Sequence, residues 1–149
     1  MLAGSARWTP GRARRRCCAF VARTIGLPDD LPICVIDDDE SVRLSLEGLI
    51  RSLGHAVRVF ASAEDFLAAS PDQGCACIIS DVHMPGLNGI ELQAAMKARG
   101  IATPFIFITA YGDDAMQTRA MNGGATCFLR KPFDAQALID CLARALATR

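Results

Sequence analysis

The strongest constraint on the fold is the mostly apolar run 77–80, which ends directly in the carboxylate of Asp81 and is followed by turn residues at 85–89. A short apolar run between turn residues is typical of a strand that is buried on both faces of a sheet. Strands of that kind belong to open parallel sheets, which form their binding crevice at the carboxyl ends of the strands. The sequence therefore predicts that Asp81 lies in such a crevice.

Polar side chains also follow three other strand-like runs. Asp37 and Asp38 follow the first run, Thr109 follows the fourth, and Lys131 lies just after the fifth. Because the carboxyl ends of parallel strands meet at one edge of a sheet, we expect these residues to form one site with Asp81. The second run carries no such residue, as expected of an edge strand when the crevice lies between the first and third strands.

Five strand-like runs alternate with five helix-like segments in units of about twenty to thirty residues. This alternation predicts an α/β fold, a doubly wound five-stranded parallel sheet with helices on both faces. The predicted strands are 33–36, 56–60, 76–80, 104–108 and 126–129.

The helices are predicted from capping side chains and from apolar spacing. Ser41, Ser62 and Asp134 are predicted N-caps of the first, second and last helices, and 90–99 and 113–121 are the third and fourth helices. The first helix is predicted to bury one apolar face before it stops at a glycine. That face consists of Val42, Leu46, Leu49, Ile50 and Leu53.

Charge is distributed unevenly along the 149 residues. Residues 1–28 contain six arginines and no acid, whereas the rest of the chain has ten basic and sixteen acidic residues. An acidic body binds nucleic acid poorly, so we expect no direct nucleic-acid partner. We expect 1–30 to be a disordered, arginine-rich extension and 31–149 to form one domain. No apolar segment approaches the ~20 residues of a membrane span.

The seven cysteines indicate neither a disulfide framework nor a zinc site. Their number is odd, and no CxxC pair with zinc-like spacing occurs. Cys34, Cys77 and Cys127 lie inside predicted strands, where free cysteine behaves as a small apolar residue. We therefore expect reduced structural thiols and a cytoplasmic location.

The residue types at the predicted site favour a particular chemistry. Asp37, Asp38 and Asp81 offer hard oxygen ligands without a thiol, which suits Mg²⁺ rather than zinc. The divalent cation and Lys131 together would balance the three carboxylates. Such a site can receive a phosphoryl group, with Asp81 as the nucleophile and the hydroxyl of Thr109 as a donor to a phosphoryl oxygen.

These motifs resemble the signature of receiver domains of two-component response regulators. The resemblance rests on the aspartate pair at 37–38, the run 81–86, the Thr-Ala pair at 109–110 and the Lys-Pro-Phe run at 131–133, and it covers residues 31–149. It implies a flavodoxin-like fold with strand order 2-1-3-4-5. The run 35–43 is most similar to receivers of the nitrogen-fixation regulator type.

The resemblance also implies roles for individual residues. Asp81 would accept the phosphoryl group from a sensor histidine kinase or a histidine phosphotransfer protein. Mg²⁺ would be held by Asp38, Asp81 and the backbone carbonyl of His83, with Asp37 orienting a metal-bound water. The remaining roles concern the phosphoryl group and the conformational response. Lys131, whose bond to Pro132 is cis in many relatives, would bind the phosphoryl group, and Thr109 and Phe128 would form the switch pair.

The function expected from these motifs is that of a stand-alone receiver, which regulates an unknown protein partner and can form a dimer on phosphorylation. Three alternatives to this function remain open. The first is a receiver fragment of a longer DNA-binding regulator. The second is a phosphohydrolase with an aspartyl nucleophile, which is disfavoured because His83 stands where a second acid is needed. The third is a flavin-binding protein, which is disfavoured because acidic residues 37–40 replace a phosphate-binding loop. We expect a signalling switch rather than a metabolic enzyme.

Overall fold

The computed structural model describes residues 31–69, 74–110 and 113–147. Within these residues, five strands alternate with five helices, and residues 31–149 form one compact unit. The arginine-rich segment 1–30 lies outside the described residues, so the prediction made for it stays a prediction. None of the described helices is long and apolar enough to span a membrane. In chain order the elements are β1 (Ile33–Ile36), α1 (Glu40–Ser52), β2 (Val57–Phe60), α2 (Ala63–Ala68), β3 (Cys77–Asp81), α3 (Gly89–Ala98), β4 (Phe105–Thr109), α4 (Asp114–Asn122), β5 (Cys127–Arg130) and α5 (Ala135–Ala147).

The five strands form one parallel sheet in the order β2-β1-β3-β4-β5. The predicted fold and strand order are therefore confirmed. Ile36 pairs with Ser80, and Asp81 pairs with Ile108, so the ends of β1, β3 and β4 are nearly level. Strands β3, β4 and β5 each extend one residue beyond the predicted apolar run. Asp81 and Thr109 are the last residues of their strands, in agreement with the strand-end positions predicted for them.

Alternating side chains of the sheet build an apolar core on each face, as the two-residue period of a strand requires. On one face, residues such as Ile78 and Phe107 pack with helices α2, α3 and α4. On the other face, residues such as Val35 and Ile106 pack with helices α1 and α5. The central strands β1, β3 and β4 are buried throughout, and this explains why they are apolar except for Ser80, Asp81 and Thr109 near their carboxyl ends.

Two predictions about α1 are wrong. Asp39, and not Ser41, caps the helix, because the Asp39 carboxylate accepts a hydrogen bond from the backbone N–H of Ser41 at 2.9 Å. Leu53 is 38% exposed rather than buried, because the helix ends at Ser52 and the next residue turns away from the core. The predicted cap Ser62 is confirmed, and the carboxylate of Asp134 accepts a bond from Ala137 N–H at the start of α5.

The start of α3 lies unusually close to the end of β3. Asn88 and Glu91 form a capping box that fixes this helix start. At Gly89, an added Cβ would overlap the carbonyl oxygen of Asp81 and would lie 3.1 Å from the Oγ of Ser80. The approach of the helix to the strand that carries Asp81 therefore requires a glycine.

We expect Leu46→Ala to lower the free energy of unfolding by about 2–5 kcal/mol, because Leu46 is buried in the core beneath α1 and its truncation leaves a cavity. The matched control is Leu44→Ala on the same helix, where the side chain is 61% exposed and the loss should stay within about 0.5 kcal/mol. Urea unfolding of both variants measures the difference. Equal losses would contradict the assignment of this helix face to the core.

We expect Gly89→Ala to destabilise the chain by about 1–3 kcal/mol, because the new methyl group must displace the backbone at Asp81. Gly48→Ala is the matched control. That position lies inside α1 with no atom near the added Cβ, so alanine should stabilise the chain by about 0.5–1 kcal/mol. Urea unfolding should therefore give changes of opposite sign, and a stabilising effect at Gly89 would contradict the close approach.

Candidate functional site

The carboxyl edge of the sheet brings together the residues that the sequence assigns to one site. Carboxylate oxygens of Asp37, Asp38 and Asp81 all lie within 4.8 Å of one another. Asp37 and Asp81 are buried, whereas Asp38 is exposed. The three residues come from the ends of the adjacent strands β1 and β3, so the parallel pairing of these strands creates the cluster.

Lys131 connects the two buried carboxylates. Its Nζ donates to Oδ2 of Asp37 at 3.1 Å and to Oδ2 of Asp81 at 3.3 Å. The lysine follows β5, two strands away from β3, and its backbone N–H donates to the carbonyl oxygen of Thr109 at 2.8 Å. The bond between Lys131 and Pro132 is cis. One ammonium group thus stands between two carboxylates that are far from it in sequence.

The second oxygen of each buried carboxylate accepts a backbone hydrogen bond. The N–H of Asp39 donates to Oδ1 of Asp37 at 2.9 Å, and the N–H of His83 donates to Oδ1 of Asp81 at 3.1 Å. In each case the donor lies two residues beyond the aspartate, an arrangement in which an aspartate bonds to its own following turn. These bonds orient both carboxylates before any ligand is present.

Burial and charge act in opposite directions on the ionisation of this site. Burial raises the pKa of Asp37, although the Asp39 N–H and the Lys131 ammonium oppose the rise. For Lys131, burial alone would lower the pKa, but the hydrogen bonds and negative charges of Asp37 and Asp81 outweigh it and raise the pKa. The lysine is therefore held in its protonated form beside the carboxylates.

Several residues that position the site were not identified from the sequence. The side chain of Arg43 on α1 donates from Nη1 to the carbonyl oxygen of Asp37 at 2.7 Å. The hydroxyl of Ser80 donates to the carbonyl oxygen of Asp81 at 2.9 Å. Both bonds fix the backbone that carries a carboxylate. No local sequence pattern indicates the Arg43 bond, because its partner lies six residues earlier and beyond the helix start.

The loop after Asp81 is held by a residue of α2. The exposed carboxylate of Glu64 accepts a hydrogen bond from the N–H of Leu87 at 2.9 Å, and this bond lowers the pKa of Glu64. Gly86 has a φ of 78° and lies so close that an added Cβ would be 2.5 Å from a Glu64 oxygen. Glu64 therefore holds the part of this loop that lies just before α3. Its 23-residue separation from Leu87 left no sequence signal.

Thr109 and Phe128 occupy different depths relative to the carboxylate cluster. Thr109 is buried at the end of β4, one residue beyond the partner of Asp81 in the sheet register. Phe128 is half-buried on β5, opposite Phe107, where it packs against the core beneath α3 and α4. Thr109 therefore lies at the carboxyl end of the sheet next to the site. Phe128 lies two residues further from that end, on the neighbouring strand.

The donor set fits a hard divalent cation. Three carboxylates converge, and neither a thiol nor an imidazole belongs to the group. Three carboxylates and the single ammonium of Lys131 carry a formal net charge of about −2, which a divalent cation would balance. Oxygen ligands and negative charge are what Mg²⁺ requires. The site is thus chemically suited to Mg²⁺.

Known proteins share this architecture. The family model of the response regulator receiver domain matches residues 33–143. The transcriptional regulatory protein TdiR of Thauera aromatica is 44% identical over 115 residues, which are 77% of this chain and 51% of TdiR. The transcriptional regulatory protein FixJ of Azorhizobium caulinodans is 43% identical over 120 residues, 80% of this chain and 57% of FixJ. The chain thus spans about half the length of these curated relatives.

Solved structures agree with the sequence relatives. The crystal structure of FixJ-N superimposes with a TM-score of 0.74 at 37% identity, and the match covers 80% of this chain and 96% of FixJ-N. Receivers of this family generally bind Mg²⁺ at an acidic pocket, and this chain has a cluster of three carboxylates, Asp37, Asp38 and Asp81, at the carboxyl edge of its sheet. The family match, the strand order and the acidic cluster together show that this chain belongs to the response regulator receiver family and acts as the receiver domain of a two-component signalling switch.

Proposed function

We propose that Asp81 accepts a phosphoryl group from the phosphohistidine of a sensor histidine kinase or of a histidine phosphotransfer protein. The observation that carries the proposal is the position of Lys131 Nζ, 3.3 Å from Oδ2 of Asp81 at the open edge of the sheet. In the transfer, an Asp81 oxygen bonds to phosphorus while the bond from phosphorus to the donor nitrogen breaks. Lys131 then stands beside the phosphoryl oxygens, where its charge offsets theirs.

The other residues of the site take distinct tasks in this proposal. Asp38, Asp81 and the carbonyl of His83 would hold Mg²⁺, and Asp37 would orient its bound water. The metal, when bound, supplies positive charge to the phosphoryl oxygens and to the carboxylates. Asp37 also keeps Lys131 oriented, because it shares the ammonium with Asp81 at 3.1 Å.

The response to phosphorylation would pass through Thr109 and Phe128. Thr109 ends β4 beside Asp81, so its hydroxyl can turn towards a phosphoryl oxygen. Phe128 is half-buried in its place on β5, and in this proposal its ring moves inward behind Thr109. The exposed ion pair of Arg130 with Asp114, at 3.0 Å, joins β5 to α4 next to this ring. We propose that this face of β5 and its neighbouring helices bind the downstream partner or a second copy of the chain.

We further propose that the phosphoryl donor docks in an apolar groove beside Lys131. The groove has a volume of about 470 Å³ and lies between α1 and the start of α5. Its walls include Val42, Leu49 and Phe133, and Lys131 also lines it. A donor helix seated there would present its phosphohistidine next to the ammonium that contacts Asp81. The groove therefore joins a recognition surface to the acceptor.

The output of the switch has two candidate forms. In the first, residues 31–149 are a receiver that regulates a separate protein in the cytoplasm, and 1–30 is an extension outside the domain. In the second, the receiver works in a longer DNA-binding regulator, as favoured by two relatives that are named transcriptional regulatory proteins and are about twice as long as the matched region. Reading the gene beyond the codon of Arg149 distinguishes the two.

The acceptor assignment predicts that a small acyl phosphate in Mg²⁺ adds one phosphoryl group to the chain. We expect Asp81→Asn to abolish this addition, because the amide nitrogen replaces one carboxylate oxygen and the neutral side chain is a poor nucleophile. Intact-mass spectrometry measures the adduct, which should be stable in acid and lost in base. Chelation of Mg²⁺ should also prevent it.

Asp65→Asn is the matched control, because this exposed aspartate lies outside the acidic cluster. It should be labelled like the unaltered chain. Undiminished, base-labile labelling of the Asp81→Asn variant would show that another residue is the acceptor and would overturn the proposed function.

The docking groove predicts a variant that separates donor recognition from chemistry. Ser45 is exposed on α1 and lines the groove, so Ser45→Tyr should fill it. The phosphoryl donor is a radiolabelled, autophosphorylated histidine kinase that labels the unaltered chain. We expect its transfer to the Ser45→Tyr variant to be slower on the order of tenfold, which corresponds to about 1.4 kcal/mol. Labelling by the small acyl phosphate should not change. Ser52→Tyr, on the same helix but outside the groove, is the control for both phosphoryl donors. If Ser45→Tyr and Ser52→Tyr slow the transfer from the kinase equally, the proposed docking site is wrong.

A further inference from the structure

The described cysteines fall into two groups on opposite faces of the sheet. Cys34 and Cys75 lie in the core beneath α2, α3 and α4. Cys77, Cys127 and Cys141 lie in the core beneath α1 and α5. All five are free thiols and are buried. The receiver function uses none of them, and the first group has a geometry that burial alone does not explain.

The Sγ atoms of Cys34 and Cys75 are 2.8 Å apart although the residues are 41 positions apart in sequence. Carbon atoms in ordinary packing contact are separated by about 3.5–4.0 Å, and bonded disulfide sulfurs by about 2.05 Å. The backbones around the pair are held by the sheet, because Ile33 pairs with Cys77 and the N–H of Ala76 donates to the carbonyl oxygen of Pro32 at 2.8 Å. A small side-chain movement would thus bring the sulfurs to bonding distance.

The two thiols differ in reactivity. The pKa of Cys75 is lowered because Cys34 can donate a hydrogen bond to its thiolate, although burial opposes this, and because the positive charge of Arg58 lies nearby. The pKa of Cys34 is raised by its bond with Cys75 and by burial. Arg58 lies on β2 directly beside Cys34 in the sheet register. Since thiolates are the nucleophilic form, we expect Cys75 rather than Cys34 to attack a peroxide first.

Cys75 also borders a route to solvent. It lines an open cleft of about 480 Å³ at the amino ends of the strands, together with Leu31, Pro104 and Thr126. This edge of the sheet is opposite to the edge that carries Asp81. The cleft is large enough for a small hydroperoxide to reach Cys75, which is 7% exposed, whereas Cys34 is 1% exposed and does not line the cleft.

We propose that Cys34 and Cys75 are a redox modification site, which hydrogen peroxide or a small organic hydroperoxide converts to an intramolecular disulfide. The Cys75 thiolate attacks the peroxide, so that the O–O bond breaks and Cys75 becomes a sulfenic acid with release of hydroxide or an alkoxide. The Cys34 sulfur then attacks the Cys75 sulfur, and the sulfenic oxygen leaves as water with the Cys34 proton. In total two thiols lose two electrons and two protons, and the peroxide is reduced to two water molecules or to water and an alcohol.

The disulfide would close a loop that contains α1, β2 and α2. Closing a loop of this length restricts the unfolded chain and should raise the melting temperature on the order of 10 °C. The site lies at the amino edge of the sheet, so its formation does not depend on the proposed phosphorylation of Asp81. The inference also changes the expectation drawn from the sequence, since two of the thiols would be reversible reactive groups and not only core residues.

The test treats the full chain, reduced and then freed of reductant, with hydrogen peroxide and blocks the remaining thiols by alkylation. Trypsin should then release one cross-linked pair, the peptide 24–43 joined to the peptide 59–97, with two hydrogens fewer than the separate peptides. Because 59–97 contains both Cys75 and Cys77, fragment spectra must assign the bond. The melting temperature should rise, and dithiothreitol should reverse both changes.

Two variants control the assignment. Cys77→Ser should keep the cross-link, and Cys75→Ser should lose it. The proposal is wrong if peroxide leaves the thiols unreacted, oxidises Cys75 to sulfinic acid without a cross-link, or joins other cysteines instead. The result on the unaltered chain decides by itself, so a variant that fails to fold does not weaken the test. If the labelling experiment showed that Asp81 is not the phosphoryl acceptor, the disulfide between Cys34 and Cys75 would still be expected.

Discussion

The site depends on one ammonium group that two buried carboxylates share. Asp37 and Asp81 lie at the ends of adjacent strands, and burial together with the nearby charge of Asp81 raises the pKa of Asp37. Lys131 offsets this by contacting both at 3.1 and 3.3 Å. Its position requires β5 to lie beyond β4 and the lysine to reach back across the end of β4. The strand order of the whole sheet is therefore a condition for the charge balance of the site.

The residues around the site hold the backbone segments that carry Asp37 and Asp81, through bonds to their carbonyl oxygens. Arg43 and Ser80 donate to the carbonyl oxygens of Asp37 and Asp81, Gly89 lets α3 approach the second of these, and Glu64 holds the loop that follows. Each contact comes from an element whose other face packs in one of the two cores. The backbones that carry the carboxylates are thus positioned by the same packing that stabilises the fold.

What the sequence predicts well is what depends on local pattern. Apolar runs that end in Asp81 or Thr109 placed the strands to within one residue, and the alternation with helices predicted the parallel sheet. The strand order came from the family resemblance alone. The cap of α1 was missed because Asp39 and Ser41 are both good caps, and only the backbone conformation decides between them. The Glu64–Leu87 bond and the Cys34–Cys75 contact were out of reach because their partners are brought together by tertiary packing alone.

The sheet separates two kinds of chemistry along the same pair of strands. β1 and β3 end in the carboxylates at one edge, while the thiol pair joins β1 to the segment just before β3 towards the opposite edge. A bond between the thiols would restrain these two strands where they begin, without adding charge or bulk at the acidic cluster. Since the phosphoryl response is expected to act through β4 and β5, oxidation should affect the stability of the domain more than the movement of its switch residues. The receiver can therefore carry a redox-sensitive bond in its core and still keep its acceptor site intact.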